Sequence, residues 1–203
     1  MPRRHVTKPD LEESYYHVYA RGGSKQPIFL CHADYKFFIA LFPRYLSPDV
    51  VSSSTGVAYP HLRDKVELLS FCLMNNHFHL QLYQAEEHSM AKLMRGIMTS
   101  YTRYFNCKYN RSGPIFESTY KASYISSQEY LLHISRYIHM NPRYWLRYPY
   151  SSLKYYLGDD NVCWLQNKRI LELHPGKTEY REFLENYQES KDELEEVKRI
   201  IAT

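Results

Sequence analysis

The chain has 203 residues, of which 44% are hydrophobic and 24% charged, and its formal net charge is +4 at pH 7. This composition is typical of a globular protein and excludes a largely disordered chain, which would have fewer apolar residues and more net charge. No run of about 18 uncharged apolar residues occurs, so no membrane-spanning helix is predicted. The N-terminus lacks an apolar signal segment and the four cysteines are widely spaced, so we expect a cytoplasmic protein with reduced thiols.

The first half of the chain alternates between strand-like and helix-like patterns. Aromatic and branched residues over 14–21, followed by two glycines, predict a first strand and a turn. An apolar helical stripe then runs from Asp34 to Leu46 with Asp34 as the N-cap, and residues 47–64 are predicted to form a loop or insertion. The apolar run over 66–74 predicts a buried strand.

Strict alternation over residues 77–83 predicts a strand with two unlike faces, paired as a hairpin with the strand before it. The apolar face carries Phe78, Leu80 and Leu82, whereas the polar face carries His77, His79, Gln81 and Tyr83. The polar face is open to two interpretations, since it could look toward solvent or toward a substrate.

The second half of the chain begins with a predicted helix over 89–106 and short extended pieces before residue 126. Ser126 and Glu129 fit a capping box, and the helix that follows should end near Met140 because Pro142 disfavours its continuation. The order β, α, β, β, α, β, α predicts an α+β sandwich with helices on one face of a mainly antiparallel sheet.

The charge of the chain is unevenly distributed. Residues 89–125 hold six Lys/Arg against one acid, a net charge of +5, whereas residues 172–203 hold nine acids against five bases, a net charge of −4. A basic segment interleaved with aromatic residues is typical of nucleic-acid binding, although a solvated charged surface over core aromatics would give the same pattern.

Two histidines and one helix carry the residues suited to chemistry. His77 and His79 project from the same strand face, and two neutral imidazoles so placed can bind one divalent metal ion. His133, Tyr137 and Asn141 share one face of the helix predicted over 127–141. The plainer alternatives are an exposed polar strand, a core tyrosine and a helix C-terminal residue. No Gly-rich phosphate loop, GxSxG, HExxH or paired-carboxylate motif is present.

Several ordered motifs together resemble one family. They are YHVYARG over 16–22, MNNHFH over 74–79, the basic segment over 101–121, RYIHMNP over 136–142 and YSSLKYYLG over 150–158. These motifs resemble the REP-associated tyrosine transposases, within the single-tyrosine HUH transposases, along residues 14–158. Two regions depart from the family pattern, since residues 143–146 differ from its usual continuation and the tail over 159–203 matches no motif.

The resemblance implies a ferredoxin-like (RRM-like) α+β fold and a set of site residues. It implies that His77 and His79 bind a divalent metal, Mg²⁺ or Mn²⁺, that Asn141 completes the metal site, and that Tyr137 is the nucleophile. It further implies DNA transposition and recombination on single-stranded DNA bearing a repetitive-palindrome hairpin, through a 5′-phosphotyrosine intermediate. The domain expectation is a basic arm over 1–13, a catalytic domain over 14–158 and a charged helical extension over 159–203.

The expected DNA contacts come from basic and aromatic residues of the central segment: Arg95, Arg103, Lys108, Arg111, Lys121 and Tyr104. The protein is then a nucleoid-associated cytoplasmic enzyme that acts as a monomer or homodimer. Two alternatives remain open: a catalytically silent, domesticated nucleic-acid-binding protein of the same fold, and an RRM-like RNA binder, which would need aromatic pairs on its sheet face.

Overall fold

The computed structural model describes residues 10–158, 160–173 and 176–186. The strands are β1 (Ser14–Arg21), β2 (Val66–Met74), β3 (His77–Gln84) and β4 (Lys121–Ile125). The longer helices are α1 (His32–Leu46), α2 (Ser89–Lys108) and α3 (Gln128–Met140). Three shorter helices follow, α4 (Lys154–Leu157), α5 (Lys168–Leu171) and α6 (Lys177–Glu185). The predicted order of elements is confirmed up to α3.

The four strands form one antiparallel sheet in the order β2-β3-β1-β4. Because β1 lies between β3 and β4, residues far apart in sequence become cross-strand neighbours. Tyr19 of β1 faces His79 of β3 on one side and Lys121 of β4 on the other, and Arg21 faces His77. The strand order and the helices between the strands are those of a ferredoxin-like α+β sandwich, so the predicted fold class is confirmed.

Helices cover both faces of the sheet. The first face, with Val18, Phe78 and Leu80, packs against α1 and α2 in one apolar core. The opposite face, with Tyr19 of β1, packs against α3 and the short helices beyond it. The sequence pattern placed helices on one face, and the structure adds α3 as the cover of the second.

Because α3 covers the second face, the polar side of β3 is buried rather than open to solvent. Gln81 is fully buried, and its amide nitrogen donates to the carbonyl of Leu131 in α3 at 2.7 Å. Its amide oxygen accepts from the Ser70 hydroxyl at 2.8 Å. A buried amide is tolerated when both of its ends are hydrogen-bonded, so Gln81 ties the sheet to α3.

Two helix starts differ from the sequence prediction. The N-cap of α1 is Cys31, and Asp34 lies in the first turn, where its carboxylate accepts from the Cys31 amide at 3.0 Å. The N-cap of α3 is Ser127, one residue later than predicted, and its hydroxyl accepts from the Tyr130 amide. In both cases a polar side chain near the predicted position accepts from a backbone amide at the start of the helix.

The segment after α3 is joined to it by buried hydrogen bonds. The His139 ring on α3 is fully buried and hydrogen-bonds through Nδ1 to the Tyr180 hydroxyl of α6 and through Nε2 to the Ser152 hydroxyl, each at 2.7 Å. Tyr180 also donates to Ser135 of α3 at 3.1 Å. The helical extension expected over 159–203 contains α5 and α6, and residues 187–203 lie outside the described residues. In the described part of the chain, no helix is long and apolar enough to cross a membrane.

Candidate active site

A cavity of about 220 Å³ opens at one end of the sheet, on the face that α3 covers. Its walls come from the ends of three strands and the segment before β4. The lining residues are Tyr19, Ala20, Arg21, His77, His79, Glu117, Ser118 and Lys121. The cross-strand pairing explains this grouping, because side chains at paired positions project from the same face.

His77 and His79 stand next to each other in this cavity, with ring centroids 5.0 Å apart. Nδ1 of His77 is hydrogen-bonded to the side-chain oxygen of Asn76 at 2.7 Å. Nδ1 of His79 lies 2.9 Å from Nε2 of His17 on β1. Since both Nδ1 atoms are engaged, the Nε2 atoms are the ones that remain to bind a ligand.

Both histidines are held in the neutral form. Burial, and after it the nearby positive charge of Arg21, lower the pKa of His77 to about 4, against an opposing effect of Asn141. The pKa of His79 lies well below its usual range, first because of burial and then because of His17, His77 and Arg21. A neutral imidazole keeps a free lone pair, so at neutral pH the pair is ready to bind a metal ion.

The helix α3 brings Tyr137 against this pair. Its ring lies edge-on to His79 with centroids 5.2 Å apart, and its side chain is almost completely buried. Burial raises the pKa of the Tyr137 hydroxyl to about 12, although the interaction with Asn141 partly opposes the shift. The phenol is therefore protonated at neutral pH.

Asn141, one helical turn after Tyr137, joins the two halves of the site. Its side chain interacts with the Tyr137 hydroxyl and with the His77 ring. His133, which shares the predicted helix face, lies elsewhere, with its ring centroid 6.3 Å from that of Phe183 on α6. The structure therefore brings together four of the predicted site residues in a single chain: His77, His79, Tyr137 and Asn141.

The side chains of His77, His79 and Asn141 are suited to bind a divalent metal ion, but three donors do not fill its coordination shell. Within the described residues, no further His, Cys, Asp or Glu joins His77 and His79 as a cluster of three. Two imidazole nitrogens and the Asn141 carboxamide oxygen are ligands that Mn²⁺ accepts, whereas Mg²⁺ prefers oxygen ligands. A three-donor set leaves positions for water and for an oxygen of a bound phosphate.

Arg21 is a residue of the site that the sequence analysis missed. Its positive charge lowers the pKa values of His77 and His79 and acts on Tyr137 in the same direction. Among the described residues, none forms a hydrogen bond or an ion pair with its guanidinium. The sequence pattern could have identified it, because Arg21 lies two positions after Tyr19 in β1 and its side chain projects from the same face of the sheet.

Of the residues predicted to contact DNA, Lys121 lies in the cavity, with its ammonium 6.0 Å from the centre of the Tyr19 ring. The other five belong to the α2 side of the sheet. Arg95 and Arg103 are exposed on α2, and Arg111 lies 5.7 Å from the Phe105 ring. Their contact with DNA stays a prediction.

Lys108 and Tyr104 have an internal role in the structure. The Lys108 ammonium lies 2.6 Å from the buried Asp34 carboxylate, and the Tyr104 hydroxyl donates to the same carboxylate at 3.0 Å. The Tyr104 ring stacks on Phe37 of α1 at 3.9 Å between centroids. These contacts join α2 to the start of α1, and the contact of Lys108 and Tyr104 with DNA stays a prediction.

Comparison with known proteins places these residues in context. Residues 58–141 match the family model described as "Transposase IS200 like", a span that contains both histidines, Tyr137 and Asn141. A solved structure, "Structure of the REP associates tyrosine transposase bound to a REP hairpin", is similar at 13% identity and a TM-score of 0.49. The match covers 75% of this chain and 81% of that one. No curated protein matches significantly. The resemblance seen in the sequence is confirmed over residues 58–141, which are similar to the IS200-like transposases.

Proposed function

We propose that this protein nicks and rejoins single-stranded DNA at a hairpin, with Tyr137 as the nucleophile and His77, His79 and Asn141 as the metal ligands. One observation carries the proposal: the Tyr137 ring lies edge-on to His79 at 5.2 Å, and Asn141 interacts with both Tyr137 and His77. A nucleophile beside two neutral imidazoles fits phosphoryl transfer, and all four residues lie in the segment matched by the transposase family.

The reaction exchanges one phosphodiester for another. The Tyr137 oxygen bonds to phosphorus, the bond from phosphorus to the 3′ oxygen breaks, and the phenolic proton is balanced by the proton that the released 3′ hydroxyl takes up. A second 3′ hydroxyl later attacks the 5′-phosphotyrosine and returns the proton to Tyr137. Each step conserves the number of phosphoester bonds, so no nucleotide cofactor is required.

The residues around Tyr137 have distinct functions in this step. Asn141 orients the hydroxyl of Tyr137 through their side-chain interaction. The two histidines and Asn141 would hold a divalent ion, which when bound would supply Lewis acidity toward the scissile phosphate. Arg21 and Lys121 give the cavity positive charge on the side of β1 and β4, which attracts the DNA backbone.

An RRM-like mode of RNA binding is disfavoured by the packing. That mode requires aromatic side chains exposed on the sheet for base stacking. Here α3 covers this face, and Tyr19, the aromatic residue between His79 and Lys121, is almost completely buried. Bases could reach the cavity at the strand ends, but not an open sheet.

The test is formation of a covalent DNA adduct. The protein is incubated with a labelled pool of hairpin-bearing single-stranded oligonucleotides and Mn²⁺ or Mg²⁺, and the products are separated on a denaturing gel. We expect an adduct that a chelator prevents, that Tyr137→Phe abolishes and that mass spectrometry maps to Tyr137. Tyr130→Phe on the same helix is the matched control and should still form it.

Two results would count against the proposal. An adduct that persists in Tyr137→Phe would move the nucleophile to another tyrosine. The absence of any adduct in a broad pool, with Mn²⁺ bound, would favour the catalytically silent DNA-binding protein.

A further inference from the structure

His17 is a buried histidine that the proposed reaction does not use. It lies in the middle of β1, paired across the sheet with Gln81, and its side chain is 1% exposed. Its ring stacks on that of His79 with centroids 5.1 Å apart and meets Tyr137 edge-on at 5.9 Å. Burying a polar ring costs free energy unless its nitrogens are hydrogen-bonded, so the contacts of His17 need an explanation.

The contact with His79 is specific to one atom on each ring. Nε2 of His17 lies 2.9 Å from Nδ1 of His79, which is a hydrogen-bond distance. Both rings are buried away from water, which favours their neutral forms. Between two neutral imidazoles, one nitrogen must carry the proton and the other must accept it, which leaves two possible arrangements.

The two arrangements have opposite consequences for the cavity. If His79 carries its proton on Nδ1 and donates to His17, the lone pair of His79 lies on Nε2, the atom free to bind a ligand. If His17 donates instead, His79 carries its proton on Nε2 and has no lone pair there. The hydrogen bond therefore decides whether His79 can bind a metal ion.

We propose that His17 is a positioning residue that accepts the Nδ1 proton of His79 through Nε2, and so fixes His79 in the tautomer whose Nε2 binds the divalent ion. This inference rests on the proposed function for the identity of the metal ligands. His17 is not itself a third ligand, because its Nε2 faces His79 and it carries its own proton on Nδ1. His77 receives the matching support from Asn76, whose side-chain oxygen accepts from Nδ1.

The tautomer can be measured on the unmodified protein. Long-range ¹H–¹⁵N NMR spectra of the wild-type chain without metal distinguish protonated from unprotonated ring nitrogens. We expect His79 to be protonated on Nδ1 and His17 on Nδ1, leaving Nε2 of both unprotonated. Protonation of His17 on Nε2, or of His79 on Nε2, would overturn the inference whether or not the protein forms an adduct with DNA.

Metal affinity gives the second measurement. Mn²⁺ binding is followed by electron paramagnetic resonance for the wild type, His17→Phe and His17→Gln. The phenyl ring keeps the volume but accepts no proton, so we expect about 10- to 100-fold weaker Mn²⁺ binding. The glutamine amide oxygen can replace Nε2 as the acceptor, so His17→Gln should recover most of the affinity.

A matched control separates this effect from the loss of any other histidine. His61→Phe removes a ring that hydrogen-bonds to the carbonyl of Ser47 rather than to His79, and Mn²⁺ affinity should persist. Equal affinities in the wild type and His17→Phe would contradict the inference. If DNA adducts fail to form while His17→Phe still weakens Mn²⁺ binding and His17→Gln restores it, the proposed reaction fails but the role of His17 stands.

Discussion

The two faces of the sheet are both buried, but they are built from different chemistry. Toward α1 and α2, the strands present Val18, Phe78 and Leu80, and an aromatic cluster around Phe38 fills the space. Toward α3, they present polar side chains that need partners: His17 with His79, and Gln81 with Ser70 and Leu131.

The difference between the faces separates stability from function. Apolar side chains gain free energy by burial alone, whereas a buried histidine or amide must recover its lost hydration through hydrogen bonds. We therefore expect substitutions on the α1/α2 face to lower the free energy of unfolding with little effect on the reaction. Substitutions around the cavity on the α3 face should lower the rate of the reaction and change the free energy of unfolding little.

The largest stability effect is expected at Phe38 on α1, which is fully buried and contacts the rings of Phe78 and Tyr101. Phe38→Ala should lower the free energy of unfolding by about 3–5 kcal/mol, because it removes apolar burial and leaves a cavity. Urea denaturation measures this change. Tyr144→Ala, at a residue 73% exposed, is the control and should change it by less than about 0.5 kcal/mol.

The same Phe38→Ala protein tests the comparison directly. Under conditions where it is fully folded, its rate of adduct formation should match that of the wild type. A rate that falls together with stability would show that the two faces are not independent.

The largest effect on the rate outside the metal ligands and Tyr137 is expected at Arg21. Arg21→Ala should lower the single-turnover rate of adduct formation at saturating DNA by about 10²- to 10³-fold, because it removes a positive charge beside the reacting phosphate. Arg21→Lys should recover part of the rate, and the free energy of unfolding should change little.

Arg103→Ala on α2 is the matched comparison for Arg21. It removes an exposed arginine from the opposite face, so DNA binding should weaken and become less salt-dependent while the rate at saturating DNA is kept. Equal rate losses in the two variants would mean that the charge of Arg21 has no special relation to the phosphate.

The smallest effect concerns pH and the Asp34 contacts on the α1/α2 face. Burial opposes ionisation of Asp34, but hydrogen bonds from Lys108, Tyr109 and backbone amides outweigh it and lower its pKa from 3.8 to about 2. Because the folded-state pKa is the lower one, this stabilisation is complete above about pH 4 and is lost as the pH falls toward 2. It amounts to about 2 kcal/mol.

Asp34→Asn removes this titration and provides the comparison. Between pH 4 and pH 2, the wild type should lose about 2 kcal/mol more of its unfolding free energy than Asp34→Asn does. Parallel curves for the two proteins would show that the Asp34 carboxylate does not stabilise the fold in this way.

Much of the fold and of the site could be predicted from local patterns. The alternation over residues 77–83 predicted which side chains of β3 share a face, and helical spacing placed Tyr137 and Asn141 together on α3. These predictions hold because strand and helix geometry fix the direction of neighbouring side chains. The resemblance to a known family then related the histidines to the tyrosine.

The rest depended on contacts between distant segments. The basic residues of α2 looked like a single patch in the sequence, but Lys108 is joined to Asp34, 74 positions away, and Lys121 lies on the other side of the sheet. Arg21 was overlooked because its neighbours in the cavity come from β3, from β4 and from the segment before β4. The burial of His79 and Gln81 under α3 could not be predicted either, because no local sequence pattern indicates which helix covers a given face of a sheet.

The hydrogen bonds of His139 have a consequence for how two DNA ends could meet. Carrying Tyr137 from one place to another would require α3 to move, and that would separate His139 from both Tyr180 and Ser152. Each buried group left unsatisfied costs roughly 1–3 kcal/mol. In the proposed reaction, Tyr137 would therefore stay in place while successive DNA ends reach it and leave it.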